Sequence, residues 1–286
     1  MGVKIIADSA CDLPIQFFEK NDVTMIPLKV LIDNNEYEDQ KTIQPNEVYN
    51  QIRNGKHPKT SQPSQLAFKE AFVEIAKSKQ PGIYIAFTSE LSGTYQTAVM
   101  VHEQVKEEYP DIDLTIVDTK CASLGFGLVV MEAVRMAKNN ATKEEILSDI
   151  RFRCLHMEHL FTVDDLDYLA KGGRLSKASA FLGGILNIKP LLNVEDGKLV
   201  PIEKIRGKKK LLNRMIELMK ERGNQMESQI IGISHGDDLT TANEMKEKIV
   251  QAFQPKEVVI TSVGATIGSH TGPGTIAIFF LNKLPS

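Results

Sequence analysis

Residues 83–96 read IYIAFTSELSGTYQ, and this stretch decides the fold class. The apolar run Ile83-Tyr84-Ile85-Ala86-Phe87 predicts a buried strand. It breaks at Thr88-Ser89-Glu90-Leu91-Ser92-Gly93-Thr94 and resumes as TYQTAVMVHEQVKEE, where the spacing of Ala98, Val101 and Val105 predicts a helix. A strand that passes through hydroxyls and a glycine into a helix N-terminus can hold an anion, because free N–H groups and the positive end of the helix dipole meet there. Ser92 or Thr94 can equally serve as a plain helix cap.

The same alternation extends outward through the first half. Val3–Ala7, Thr24–Leu31 and Leu114–Val117 are predicted strands, and Asn46–Arg53, Ser64–Lys77, Thr94–Glu108 and Leu124–Asn139 are predicted helices. This pattern implies an α/β fold with a mostly parallel sheet and helices on both faces, whose ligands sit beyond the carboxyl ends of the strands. Thr142-Lys143-Glu144-Glu145 is a capping box that starts a helix through Ile150. We place a boundary there, giving an N-terminal α/β domain over 1–150 and a C-terminal α/β domain over 151–286. In the second part, Asp196-Gly197 marks a hairpin between Leu191–Val194 and Leu199–Ile205. A helix carrying Leu211, Met215, Leu218 and Arg222 follows, then strand Ile230–Ser234, helix Thr241–Phe253, and strands Val258–Val263 and Thr275–Leu281.

Composition narrows the function classes. The 286 residues are 42% hydrophobic and 25% charged, with a net charge of −3, so nothing points to nucleic acid. The isolated thiols Cys11, Cys121 and Cys154 form no CxxC pair and suit a reducing cytoplasm. No apolar run nears the roughly 18 residues of a membrane span. Met1-Gly2-Val3-Lys4-Ile5-Ile6 reads as a first strand and not as a signal peptide. The expectation is a soluble cytoplasmic protein.

Several segments carry chemistry. Thr60-Ser61-Gln62-Pro63-Ser64 precedes a helix, with Pro63 expected in its first turn. One hydroxyl here is expected to cap the helix, and the others are free to converge with Ser92. Gly264-Ala265-Thr266-Ile267-Gly268-Ser269-His270-Thr271-Gly272-Pro273-Gly274 joins the last two strands, either as a ligand loop around His270 or as a long hairpin exposing it. Arg206 ends a strand before Lys208-Lys209-Lys210 and is the better anion ligand of that group. Asp164, Asp165 and Asp167 could serve metal or acid–base work, but a helix cap closed by Gly172 accounts for them more simply. His156 and His159 stand three apart on a predicted strand, where they face opposite ways, so no metal site is assigned. No GxxxxGK[ST], GxGxxG or GxSxG is present.

Six segments in register, ADSACDLP at 7–14, TSQPS at 60–64, LSGTYQ at 91–96, VDDLDYLAKGGRLS at 163–176, KPLL at 189–192 and GSHTGPG at 268–274, resemble the DegV family over nearly the whole chain. The resemblance implies a two-domain α/β protein whose second domain is like the dihydroxyacetone-kinase substrate-binding fold. It implies a long-chain fatty acid with its carboxylate between the domains, held by Thr60 or Ser61 and by Ser92, with Arg206 and His270 adding hydrogen bonds and positive charge. The chain would present this acid to a separate ATP-dependent fatty acid kinase subunit, with Arg174 on an exposed turn at the docking face. It implies no cofactor, no metal and no catalytic residue in this chain, and leaves a transient membrane-surface contact open. Ala178–Leu186, with mixed small and bulky apolar residues, could line a tunnel or be ordinary core. The competing readings are a serine-dependent lipid hydrolase using Ser92 with His270 as base, and a carrier of another small lipid carboxylate.

Overall fold

The computed structural model describes residues 2–175 and 188–285. The expected tunnel segment Ala178–Leu186 lies outside the described residues. Along the chain run β1 (Lys4–Asp8), α1 (Ile15–Asn21), β2 (Thr24–Ile26), β3 (Lys29–Ile32), β4 (Asn35–Glu38), α2 (Pro45–Arg53), β5 (Lys59–Ser61), α3 (Gln65–Ser78), β6 (Gly82–Ala86), α4 (Thr94–Glu108), β7 (Leu114–Asp118), α5 (Ser123–Lys138) and α6 (Lys143–His156). There follow β8 (Met157–Thr162), α7 (Leu166–Lys171), β9 (Ile188–Glu195), β10 (Lys198–Arg206), α8 (Lys208–Arg222), β11 (Ile230–His235), α9 (Leu239–Phe253), β12 (Glu257–Ser262), α10 (Ala265–Thr271) and β13 (Ile276–Leu281).

The first sheet is parallel throughout, in the order β2-β1-β6-β7. Alternation along its strands divides two cores. Ile5, Ala7, Ile83 and Ile85 pack with Phe126, Val129 and Val130 of α5, while Ile6, Tyr84 and Ala86 pack with Phe68 and Phe72 of α3 and Ala98 and Val101 of α4. Helices therefore cover both faces, as expected for a parallel sheet. The expected single strand Thr24–Leu31 is two strands in different sheets. Pro27 has no N–H to continue a ladder, so β2 ends and β3 pairs antiparallel with β4 and β5 instead.

Residues from Met157 onward build a mixed six-stranded sheet, ordered β10-β9-β8-β13-β11-β12. Ile150 lies within α6, which runs unbroken through His156 before β8 begins. β12 and β13 do not form the hairpin considered above. β13 inserts antiparallel between β8 and β11, leaving β12 at the edge beside β11. Much of the segment between them is the helix α10.

The hairpin of β9 and β10 turns at Asp196-Gly197 as expected, and its tip is tied to the β6–α4 turn. Thr88 Oγ1 donates to the Gly197 carbonyl at 3.2 Å, and Lys120 and Lys198 pair with Glu90 at 3.0 and 3.4 Å. Gly197 needs its positive φ of 82°, and a side chain there would overlap Thr88. Among the described residues no helix is long and apolar enough to cross a membrane.

Candidate ligand site

The Thr60–Ser64 hydroxyls divide their work. Ser64 is the cap of α3, accepting from the Ala67 amide at 3.2 Å, so Pro63 stands before the helix and not in its first turn. Thr60 and Ser61 are left on the last residues of β5, where they face a cavity of about 450 Å³. The β6–α4 turn brings Leu91, Ser92 and Gly93 to the same cavity. Gly93, not Ser92, is the N-cap residue of α4; Ser92 Oγ lies 2.8 Å from Thr94 Oγ1 and accepts from the Thr94 amide at 3.3 Å. Gln62 bridges the two segments by donating to Thr97 Oγ1 at 2.7 Å, and a side chain at 93 would overlap its amide.

His270 lies on α10, part-buried, and its Nε2 is 2.6 Å from Thr60 Oγ1. It does not hang from an exposed loop. Burial, then the neighbouring Arg174 guanidinium, pushes its pKa down to about 4, so near neutral pH it supplies hydrogen bonding and no positive charge. Gly172 passes so close to Nδ1 that an added methyl would overlap it. Gly173 then turns the chain at φ 70°, and Arg174 comes back to the cavity.

That turn corrects the expectation for Arg174. The residue is half-buried, donating from Nε to the Leu91 carbonyl at 3.1 Å and from Nη1 to the Gly172 carbonyl at 2.6 Å. Arg206 is placed differently. It is exposed at the end of edge strand β10, opposite Ile188, and does not line the cavity. The structure therefore brings together Thr60, Ser61, Ser92, His270 and Arg174, and leaves Arg206 outside.

The remaining walls are mostly apolar, with Ser123, His159, Ser234 and the α10 threonines among them. One face of the six-stranded sheet contributes Phe161, Ala277 and Phe279, the hairpin adds Val194 and Leu199, and Leu28 and Phe87 close the N-terminal side. Among the described lining residues no Asp or Glu occurs, and Arg174 is the one permanently charged side chain. Ser92 and His270 do not form a nucleophile–base pair: each is engaged elsewhere, with Thr94 and Thr60 respectively. The described residues hold no cluster of His, Cys, Asp or Glu suited to a metal ion. Asp165 caps α7 through the Asp167 amide at 2.8 Å, and Gly172 ends that helix.

A family model described as "Uncharacterised protein, DegV family" matches residues 2–283. The chain belongs to the DegV family. A DegV domain-containing protein of Clostridium perfringens is 40% identical over 280 residues, covering 97% of this chain and 96% of that protein. The solved DegV structure titled for fatty acid binding, from Thermus thermophilus, is 30% identical with a TM-score of 0.89, covering 98% of this chain and 99% of that one. A protein from Eubacterium ventriosum, titled as binding stearic acid, is 28% identical with a TM-score of 0.89 and the same coverage, 98% and 99%.

Part of this DegV site was not foreseen. Asp8, Asp12 and Asp39 are buried and act as its frame. Asp8 accepts from the Phe87 amide (2.8 Å), Tyr84 Oη (2.9 Å) and the Ala10 amide (3.2 Å); burial nonetheless raises its pKa to about 7. Asp39 accepts from the first amides of α10, Ala265 at 3.3 Å and Thr266 at 3.2 Å, and from Ser9 at 3.2 Å. Asp12 accepts from Ser123, which lines the cavity at φ 52°. The two aspartates of ADSACDLP were the available signal, since two carboxylates beside a buried strand need partners. His159, set aside as a metal ligand, is in fact a wall of the cavity. Its Nε2 accepts from the Ala122 amide at 3.2 Å, its Nδ1 faces the Met157 carbonyl at 3.1 Å, and burial holds its pKa near about 4. His156 points elsewhere, to Asn282 at 2.8 Å.

Proposed function

We propose that this protein binds a long-chain fatty acid, with the carboxylate among Thr60, Ser61, Ser92, His270 and Arg174 and the acyl chain between the β8–β13 sheet face and the β9–β10 hairpin. One observation carries the reading: a largely apolar cavity has hydroxyls, two neutral histidines and one cation, with no carboxylate among its described lining residues to neutralise it. A monoanion with an apolar tail matches that lining. The carboxylate leaves water only if several donors receive it, and each buried methylene contributes about 0.8 kcal/mol. Relatives named or titled for fatty acid and stearic acid binding support the same ligand class.

The acid is presented to a separate kinase that phosphorylates the carboxylate, and this chain performs no chemistry of its own. The sequence supports this division, having no phosphate-binding loop, and so does the engagement of Ser92 and His270 with different partners. Arg174 then belongs first to the head group, and the turn Gly172-Gly173-Arg174 is the part of the site from which a partner would reach it. The direct experiment is organic extraction and mass spectrometry of protein purified from its host, expected to yield one acyl species per chain. Folded protein that releases no fatty acid and takes up none on addition would overturn the reading.

A further inference from the structure

A second cavity, of about 570 Å³, opens on another side of the molecule and shares no lining residue with the first. Helix α5 links them. Ser123 at its N-terminus lines the ligand site, while Leu128 through Lys138 line the second cavity. At about 1.5 Å per residue Ser123 stands about 8 Å from Leu128 and about 22 Å from Lys138 along the helix axis. The floor is apolar, with Leu128 and Met131 of α5 facing Leu281 and Leu284 from the C-terminal segment.

The rim carries four cations, Arg135, Lys138, Arg153 and Lys256, and one carboxylate, Glu132. Glu132 is already committed, to Arg135 at 2.6 Å and to Arg153 at 3.3 Å, and Arg153 also holds Asp149 at 2.6 Å. Lys138 has only the neutral Asn21 amide oxygen, at 2.5 Å, and Lys256 makes no direct ion pair among the described residues, though it shares the field of Glu132 with the two arginines. Four cations set against Glu132 and Asp149 thus leave a net positive rim above an apolar floor. The volume lies in the roughly 300–1,000 Å³ range of small-molecule sites. Solvated surface lysines alone would leave a flat charged patch and would not account for the concave apolar floor beneath them.

We propose that this second cavity binds a small anionic amphiphile, its acidic head at Lys138 and Lys256 and its apolar body on Leu128, Met131, Leu281 and Leu284. The inference does not depend on the ligand of the first site. A carboxylate and a phosphate head share the required chemistry, and competition separates them.

The probe is 1-anilinonaphthalene-8-sulfonate, followed by its fluorescence on the full chain. Lys256→Glu, a substitution at an exposed position, is expected to weaken probe binding roughly tenfold, as for loss of a hydrogen bond to a charge, while Lys256→Arg keeps it within about twofold. Met131→Trp, which fills the floor, is expected to abolish the same class of binding. Probe held in the first cavity persists in all these proteins and cannot imitate the losses. Within the probe fraction that Met131→Trp loses, displacement by decanoate identifies a carboxylate-headed ligand, and displacement by dodecyl phosphate alone identifies a phosphate-headed one. Wild-type affinity in Lys256→Glu overturns the anion assignment, and wild-type affinity in Met131→Trp overturns the cavity as the site.

Discussion

At the scale of single residues, the site depends on close approaches that only small side chains permit. Gly172 has an ordinary helical φ of −73°, so its identity is set by His270 and not by backbone strain. Gly172→Ala is therefore expected to push the imidazole away from Thr60 and lower fatty acid affinity about tenfold, the worth of one hydrogen bond to a charged group, with little change in melting temperature. Equilibrium binding and a thermal melt on one preparation check both parts. Arg174 gives a sharper separation. Arg174→Ala removes the cation of the lining, so binding of a fatty acid should fall roughly tenfold to a hundredfold while binding of the matching fatty alcohol changes little. Equal losses for acid and alcohol would place the guanidinium outside the head-group contact. Unchanged acid affinity with lost phosphorylation would return Arg174 to the docking role its exposed-turn reading suggested.

At the scale of elements, α10 shows how the frame and the site are coupled. Its seven residues are too few to be stable alone, and Asp39 holds its start through the Ala265 and Thr266 amides. Asp39→Ala leaves those buried donors and Ser9 unsatisfied, a cost on the order of 3 kcal/mol, measurable by urea unfolding. Because α10 carries His270, ligand affinity should fall with stability. A variant that loses stability but binds normally would uncouple the helix from the site. The same scale explains which elements were legible. α4 and the capping-box start of α6 match the pattern reading because local periodicity and side-chain caps determine them. α10 was not legible as a helix: glycines and a proline dominate its segment, and its stabilisation comes from an aspartate 226 residues away in sequence.

For the whole molecule, buried titratable groups set opposing trends with pH. Asp8 has its pKa raised to about 7 by burial, so the native state binds the extra proton and this contribution to stability is lost as pH rises from about 4 to about 7. His159 and His270 are lowered to about 4, so their contribution runs the other way, being present above about 6.5 and lost as pH falls toward 4. The two trends oppose each other in the wild type over that window. Asp12 and Asp39, also raised by burial, share the first trend, so Asp8→Asn removes only its own part, and the slope of its melting temperature against pH from 4.5 to 6.5 is expected to be more positive than that of the wild type. Parallel curves would show that Asp8 does not titrate in this range.

From the sequence alone came the α/β class, the parallel first sheet, the Asp196-Gly197 hairpin and the hydroxyl segments at 60–64 and 91–96. Each rests on periodicity, turn chemistry or capping, which act over a few residues. The tertiary structure decided what those segments meet. Only chain crossing places β13 between β8 and β11, turning His159 and Phe279 into cavity walls, and only packing neutralises His270. Arg174 and Arg206 are alike in sequence, each a cation beside a glycine at the end of an element. Gly172 and Gly173 fold the first back toward Leu91, while edge strand β10 carries the second out to solvent. Which arginine reaches an anion is a matter of long-range chain path, and no local pattern encodes it.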